Sequence, residues 1–175
     1  MGKKNQSELD KMELLRQEFW NRMREIFKEN GTALQLGDTD YGEWLNCKTS
    51  VKQNLITVYL YPKRDTYRIM ASLDGRNANI PYSNRWEQYM LERKPMIDAK
   101  IGFPVDRLPK SGKAQMLIGS EFKMYPLNHD QHWDAVIKVM LDQLQRCQNA
   151  FEPHMEAFAE THGYLLHDGS VTHHL

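Results

Sequence analysis

The chain has 175 residues and equal numbers of basic and acidic side chains, 23 of each, so its formal net charge is zero. A composition of 41% hydrophobic and 26% charged residues excludes wholesale disorder. The balanced charge argues against a generic DNA-coating protein, because each neutralised phosphate needs a Lys or Arg. One domain of this length buries about 70% of its unfolded surface, enough for a core without disulfide or metal staples. The two cysteines, Cys47 and Cys147, form no CxxC pair and are expected to be reduced and buried. Met1 to Glu8 is polar and basic without an apolar h-region, and no run approaches about 18 apolar residues. The expectation is therefore a cytoplasmic chain with no membrane span.

The first predicted element is an amphipathic helix over Ser7 to Glu29. Leu9, Met12, Leu15, Phe19, Met23, Ile26 and Phe27 recur at steps of three and four, which places them on one face. Trp20 falls beside this stripe, so it is expected to face a partner or a second subunit. A Gly-, Asp- and Thr-rich loop follows from Thr32 to Tyr41, then a short strand over Glu43 to Lys48. Asn54–Tyr61 and Thr66–Leu73 give the clearest β signal, joined by Pro62-Lys63-Arg64-Asp65 as a hairpin turn. That turn length sets Tyr61 opposite Thr66 and Tyr59 opposite Arg68. Alternation then gives a core face of Ile56, Val58, Leu60, Tyr67, Ile69, Ala71 and Leu73. The other face, half-polar, carries Thr57, Tyr59, Tyr61, Thr66, Arg68 and Met70.

Asp74-Gly75-Arg76-Asn77 reads as a turn. A second helix over Ser83 to Ile101 is expected to kink or split at Pro95, which lacks a backbone donor and clashes with the preceding turn. Pro104 to Lys113 reads as a loop or short strand, and Ala114–Phe122 as another strand. A long helix over Asp130 to Phe151 is expected to stop there, with Pro153 starting a separate helix that ends at Gly163. The tail from 164 to 175 has weak periodicity and is expected to be poorly ordered. The fold expected is α+β: one domain over residues 1–163, with a mainly antiparallel sheet of four or five strands packed by three main helices, in the order α-β-β-β-α-β-α.

Several residues carry a family resemblance. They are Arg16, Phe19 and Trp20 on the first helix, Trp44 in a strand, and Leu91, Lys94, Pro95, Ile97 and Asp98 before Ile101-Gly102. Met116 to Ile118 lie in a later strand, and Trp133 opens a helix that closes on Phe151 and Pro153. With these landmarks, residues 14 to 153 resemble the uncharacterised domain-of-unknown-function family 4268. The resemblance implies a prokaryotic chain linked to restriction and defence, since that family occurs alone or beside nuclease-like domains. It carries no catalytic residues across.

The residues bear on four kinds of site. The order of elements matches the core of restriction-endonuclease-like folds, which need a carboxylate on the second strand and an acid-x-Lys pair on the third. Asn54–Tyr61 carries no carboxylate and Thr66–Leu73 carries none before Asp74. Glu92-x-Lys94 has the spacing but lies on a predicted helix. His129 and His132 are three apart at a helix start, the spacing of a metal pair, but no carboxylate or cysteine joins them at a recognised ligand spacing. There is no G-x-S-x-G elbow and no phosphate-cradling glycine loop.

The remaining candidate is a basic-aromatic surface on the hairpin: Tyr59, Tyr61, Lys63, Arg64 and Arg68, extended by Arg76, Arg85, Arg107, Lys110 and Lys113 where loops converge. The alternative for this face is a covering helix, with the tyrosines as ordinary core. The sequence therefore predicts a non-catalytic interaction module with no metal and no cofactor, binding a protein or nucleic acid and assembling as a homodimer. The competing reading is a divergent or inactive metal-dependent nuclease.

Overall fold

The computed structural model describes the chain outside residues 1, 32, 38–41, 75–78, 110–115 and 175, and side chains outside residues 2–6, 9 and 116 as well. Apolar spacing gives the first helix, α1 (Gly2–Asn30), which buries Phe19, Trp20, Met23 and Ile26. Strands β1 (Trp44–Lys48), β2 (Asn54–Tyr61) and β3 (Thr66–Leu73) form an antiparallel meander. The β2–β3 turn is a single 3₁₀ turn over Pro62–Arg64, closed by Asp65 in the left-handed region at φ 49°. Asp is among the few residues that enter that region readily. The expected register holds: Tyr59 faces Arg68 and Tyr61 faces Thr66.

The second helical region is two helices, α2 (Ile80–Glu92) and α3 (Lys94–Ile101). The break falls at Arg93, because Pro95 sits in the first turn of α3, where its missing N–H has no helical acceptor to lose. Asn79 caps α2 by accepting from the Tyr82 N–H at 3.1 Å. The short edge strand β4 (Asp106–Arg107) and then β5 (Met116–Lys123) complete the sheet in the order β1-β2-β3-β5-β4. The fold is α+β, with four α-helices and a five-stranded antiparallel sheet among the described residues.

The last helix corrects an expectation. α4 runs unbroken from Trp133 to His162 with Pro153 inside it. Pro153 is exposed, and a helix curving around a core tilts its solvent-side carbonyls outward. The lost bond and the ring clash therefore fall on the side where water can replace them. The tail also differs from expectation. β6 (Tyr164–Leu165) and β7 (Val171–Thr172) pair antiparallel, and Leu165 is buried. The Tyr82 hydroxyl donates to the Gly163 carbonyl at 2.8 Å and ties this hairpin to α2.

One sheet face meets the helices. On it lie Leu45, Cys47, Ile56, Val58, Leu60, Tyr67, Ile69, Ala71, Leu73 and Ile118, all buried. From this face Tyr67 donates to Gln143 of α4 at 2.7 Å, and Trp86 of α2 donates to Asn54 at 2.7 Å. Trp20, expected at a partner surface, is instead fully buried. α1 is clasped from two sides there: Phe19 packs edge-on to Trp133 of α4 at 5.4 Å, and the Trp20 indole donates to the Gly42 carbonyl at 2.8 Å. Among the described residues no helix is long and apolar enough to cross a membrane.

Candidate functional site

The sheet face away from the helices carries the hairpin residues. Antiparallel pairing sets Trp44, Tyr59, Arg68 and Glu121 in one row across β1, β2, β3 and β5, and Tyr61, Thr66 and Lys123 in the next. Directly opposed residues share a face, so side chains in a row touch. The Trp44 and Tyr59 rings stack with centroids 5.8 Å apart at 13°, and Tyr59 leans on Tyr61 at 4.5 Å. All three rings are half-buried.

The polar ends of this aromatic row are tied to charges. The Tyr59 hydroxyl donates to Glu43, whose other oxygen lies 3.2 Å from Arg16 of α1. The Tyr61 hydroxyl accepts from Arg68 Nη1 at 2.8 Å. Arg68 is only 6% exposed; its Nε donates to Glu121 at 2.9 Å, and Nη1 also reaches the Pro109 carbonyl at 3.3 Å. A buried guanidinium with a carboxylate and two further acceptors is compensated within the protein. Arg68 therefore holds the Tyr61 ring, 4.5 Å from its centroid, rather than standing free for a ligand.

What reaches solvent is the turn. Lys63 and Arg64 are exposed, with Arg64 over the same Tyr61 ring at 4.7 Å, and Lys123 is exposed at the adjoining strand end. Among the described groups, Lys63, Arg64, Arg68 and Lys123 face Asp65 and Glu121, so this end of the sheet is basic although the chain is neutral. Thr66 Oγ1 is buried beside Tyr61 and Lys123 with no hydrogen-bond partner.

The other expected site residues separate. Arg107 pairs with Ile118 and so lies on the helix side of the sheet, where its guanidinium meets Glu87 of α2. It does not join the hairpin surface. Arg76 and Lys110 lie outside the described residues, as does Lys113. Sequence reasoning passed over Trp44, Glu43 and Glu121. For Trp44 and Glu121 the signal was one more step of strand pairing from the Tyr59–Arg68 pair.

The candidate catalytic groups are otherwise engaged. Both cysteines are buried, and burial pushes the Cys47 thiol up to about 12 and the Cys147 thiol higher still, which disfavours a nucleophilic thiolate. His132 stacks on Tyr125 at 3.7 Å, with the His129 ring 6.4 Å away. Among the described residues no group of three or more His, Cys, Asp or Glu could hold a metal ion. Lys94 pairs with Asp98 at 2.5 Å, at the start of α3.

A family model described as Domain of unknown function (DUF4268) matches residues 15–155. No curated protein matches the chain, and no solved structure does.

Proposed function

We propose that this chain, which belongs to the Domain of unknown function (DUF4268) family, is a non-catalytic interaction module that engages a partner protein through the hairpin face. The observation that carries this reading is the row Trp44–Tyr59–Tyr61, half-exposed and with both tyrosine hydroxyls already bonded. Trp and Tyr give large contact area at low entropic cost, and they recur as binding anchors in interfaces. Here their rotamers are fixed in advance by Glu43 and Arg68, which lowers the cost of ordering them on binding.

A protein partner is favoured over nucleic acid by the disposition of the rings. Single-stranded binders stack bases on open ring faces. Here the Tyr59 ring packs against both Trp44 and Tyr61, and Arg64 and Arg68 lie over the Tyr61 ring, so the tyrosine faces a base would stack on are already engaged. The exposed cations at the turn suit an acidic rim on the partner. The restriction and defence setting that we attach to the module rests on the family resemblance alone.

The test uses a K63E/R64E variant, since both side chains are exposed and their reversal leaves the core intact. Peptide-display selection on the wild type should return ligands that bind the variant at least about tenfold more weakly, as reversal of rim charges predicts. Short single- and double-stranded DNA and RNA should show no salt-steep binding. Oligonucleotide binding that falls steeply with salt and is lost in the variant would overturn the protein reading in favour of nucleic acid. A selection whose ligands bind wild type and variant equally would overturn the choice of face.

A further inference from the structure

On the helix side of the sheet, α2 and β4 enclose an open cleft of about 490 Å³, lined among the described residues by Asn84, Glu87, Gln88, Leu91, Glu92 and Arg107. Residues 84, 87, 88 and 91 step by three and four, so one face of α2 forms one wall. Of these residues Glu87 is the buried one, a carboxylate only 5% exposed. A buried carboxylate is costly unless paired. Its partner is the Arg107 guanidinium, whose side chain is 62% exposed and sits on a strand of two residues at the sheet edge. A buried charge is thus compensated by a side chain that can swing into solvent without disturbing the core.

We infer that this cleft is a receptor for a guanidinium group, an arginine side chain of a partner protein, and that Arg107 occupies it as an internal placeholder. The group seated on Glu87 is itself a guanidinium, which shows the chemistry the carboxylate accommodates. Among the described lining residues two are carboxylates, Glu87 and Glu92, and one is a cation, Arg107, a balance that favours an added cation and disfavours an anion docking on Arg107. Arg93 stands 3.8 Å from Glu92 and is turned onto the Tyr89 ring at 3.3 Å. The side-chain carbonyls of Asn84 and Gln88 offer acceptors for the remaining N–H groups of a planar fork, and Leu91 an apolar wall for its stem. A compact ammonium would use fewer of these acceptors.

The inference is independent of the hairpin reading, because the cleft and the aromatic row lie on opposite faces of the sheet. The test is a titration with N-acetyl-arginine methylamide, followed by amide chemical shifts. A ligand that must displace an internal occupant has its apparent affinity reduced by the fraction of open sites. R107A should therefore bind the probe at least about tenfold more tightly than wild type. R107A/E87Q should not bind it, and K63E/R64E should match wild type. Where R107A does not fold, R107Q takes its place, with the same expected ranking. The lysine analogue of the probe should bind R107A more weakly than the arginine probe. Equal or weaker binding to R107A, or binding that survives E87Q, would overturn the inference. So would tighter binding of N-acetyl-aspartate than of the arginine probe to wild type, since Arg107 would then be an anchor for anions.

Discussion

Gly119 sits in β5 opposite Met70 of β3, at the centre of the sheet that carries the aromatic row. A methyl group added there would collide with the Ile69 carbonyl oxygen and lie 2.6 Å from Met70 Cα. These are backbone atoms of a paired strand, so no side-chain rotation relieves the contact, and β3 and β5 must separate locally. Overpacking costs about 1–3 kcal/mol, and a site where backbone must move belongs at the upper end, about 3 kcal/mol. For a chain of this size each kcal/mol lowers Tm by about 2–4 °C, so G119A should melt about 6–12 °C below wild type. G31A is the control. Gly31 follows α1 at φ 57° with open space around its Cα, so alanine there meets only the left-handed backbone penalty, about 1 kcal/mol. Differential scanning calorimetry, with urea titration as a check on two-state behaviour, reads both variants. A G119A shift of less than about 2 °C, or one no larger than that of G31A, would refute the steric reasoning.

Further expectations follow from buried polar groups. Y82F deletes the hydroxyl that bonds the Gly163 carbonyl and leaves that carbonyl unsatisfied, costing about 1–3 kcal/mol in urea unfolding. Retention of full stability would mean that the C-terminal hairpin is not tied to α2. Burial raises both thiols, and it pushes the Tyr67 and Tyr82 phenols up to about 12. The unfolded chain then releases these protons at lower pH than the folded one, from about pH 9 for the thiols. Their contribution is full below that pH and lost as pH rises toward 12, so the urea midpoint should fall progressively above about pH 9. In C47A/C147A the decline between about pH 9 and 10 should flatten. An unchanged pH profile in that variant would show that the thiols do not govern it.

Local chemistry explains what the sequence disclosed. Strands β2 and β3 and their register were legible because a four-residue turn between two β-branched, alternating runs leaves one sensible pairing, and that pairing put Tyr59 beside Arg68. The split of the second helix was legible from Pro95, whereas the same residue type misled at Pro153, because its exposure on the outer side of α4 is a tertiary fact. Trp20 was misplaced for a related reason. A stripe calculation assumes one packing partner, and α1 has two, α4 and the segment at Gly42. Arg107 could not be assigned to a face, since a two-residue strand has no periodicity to read. Glu87 did leave a signal. It interrupts the buried stripe of Ser83, Trp86 and Met90 at stripe spacing, and an acid at such a position implies a paired or functional carboxylate.

The central claim, that the hairpin face is the partner surface, is tested most directly by hydrogen–deuterium exchange footprinting of the protein with a selected ligand bound. Protection should concentrate on β1 and β2 around Trp44, Tyr59 and Tyr61 and on the Pro62–Asp65 turn. It should leave α2 and β4 unchanged for any ligand lacking arginine. Protection confined to the helices, with exchange at the turn untouched, would contradict the account.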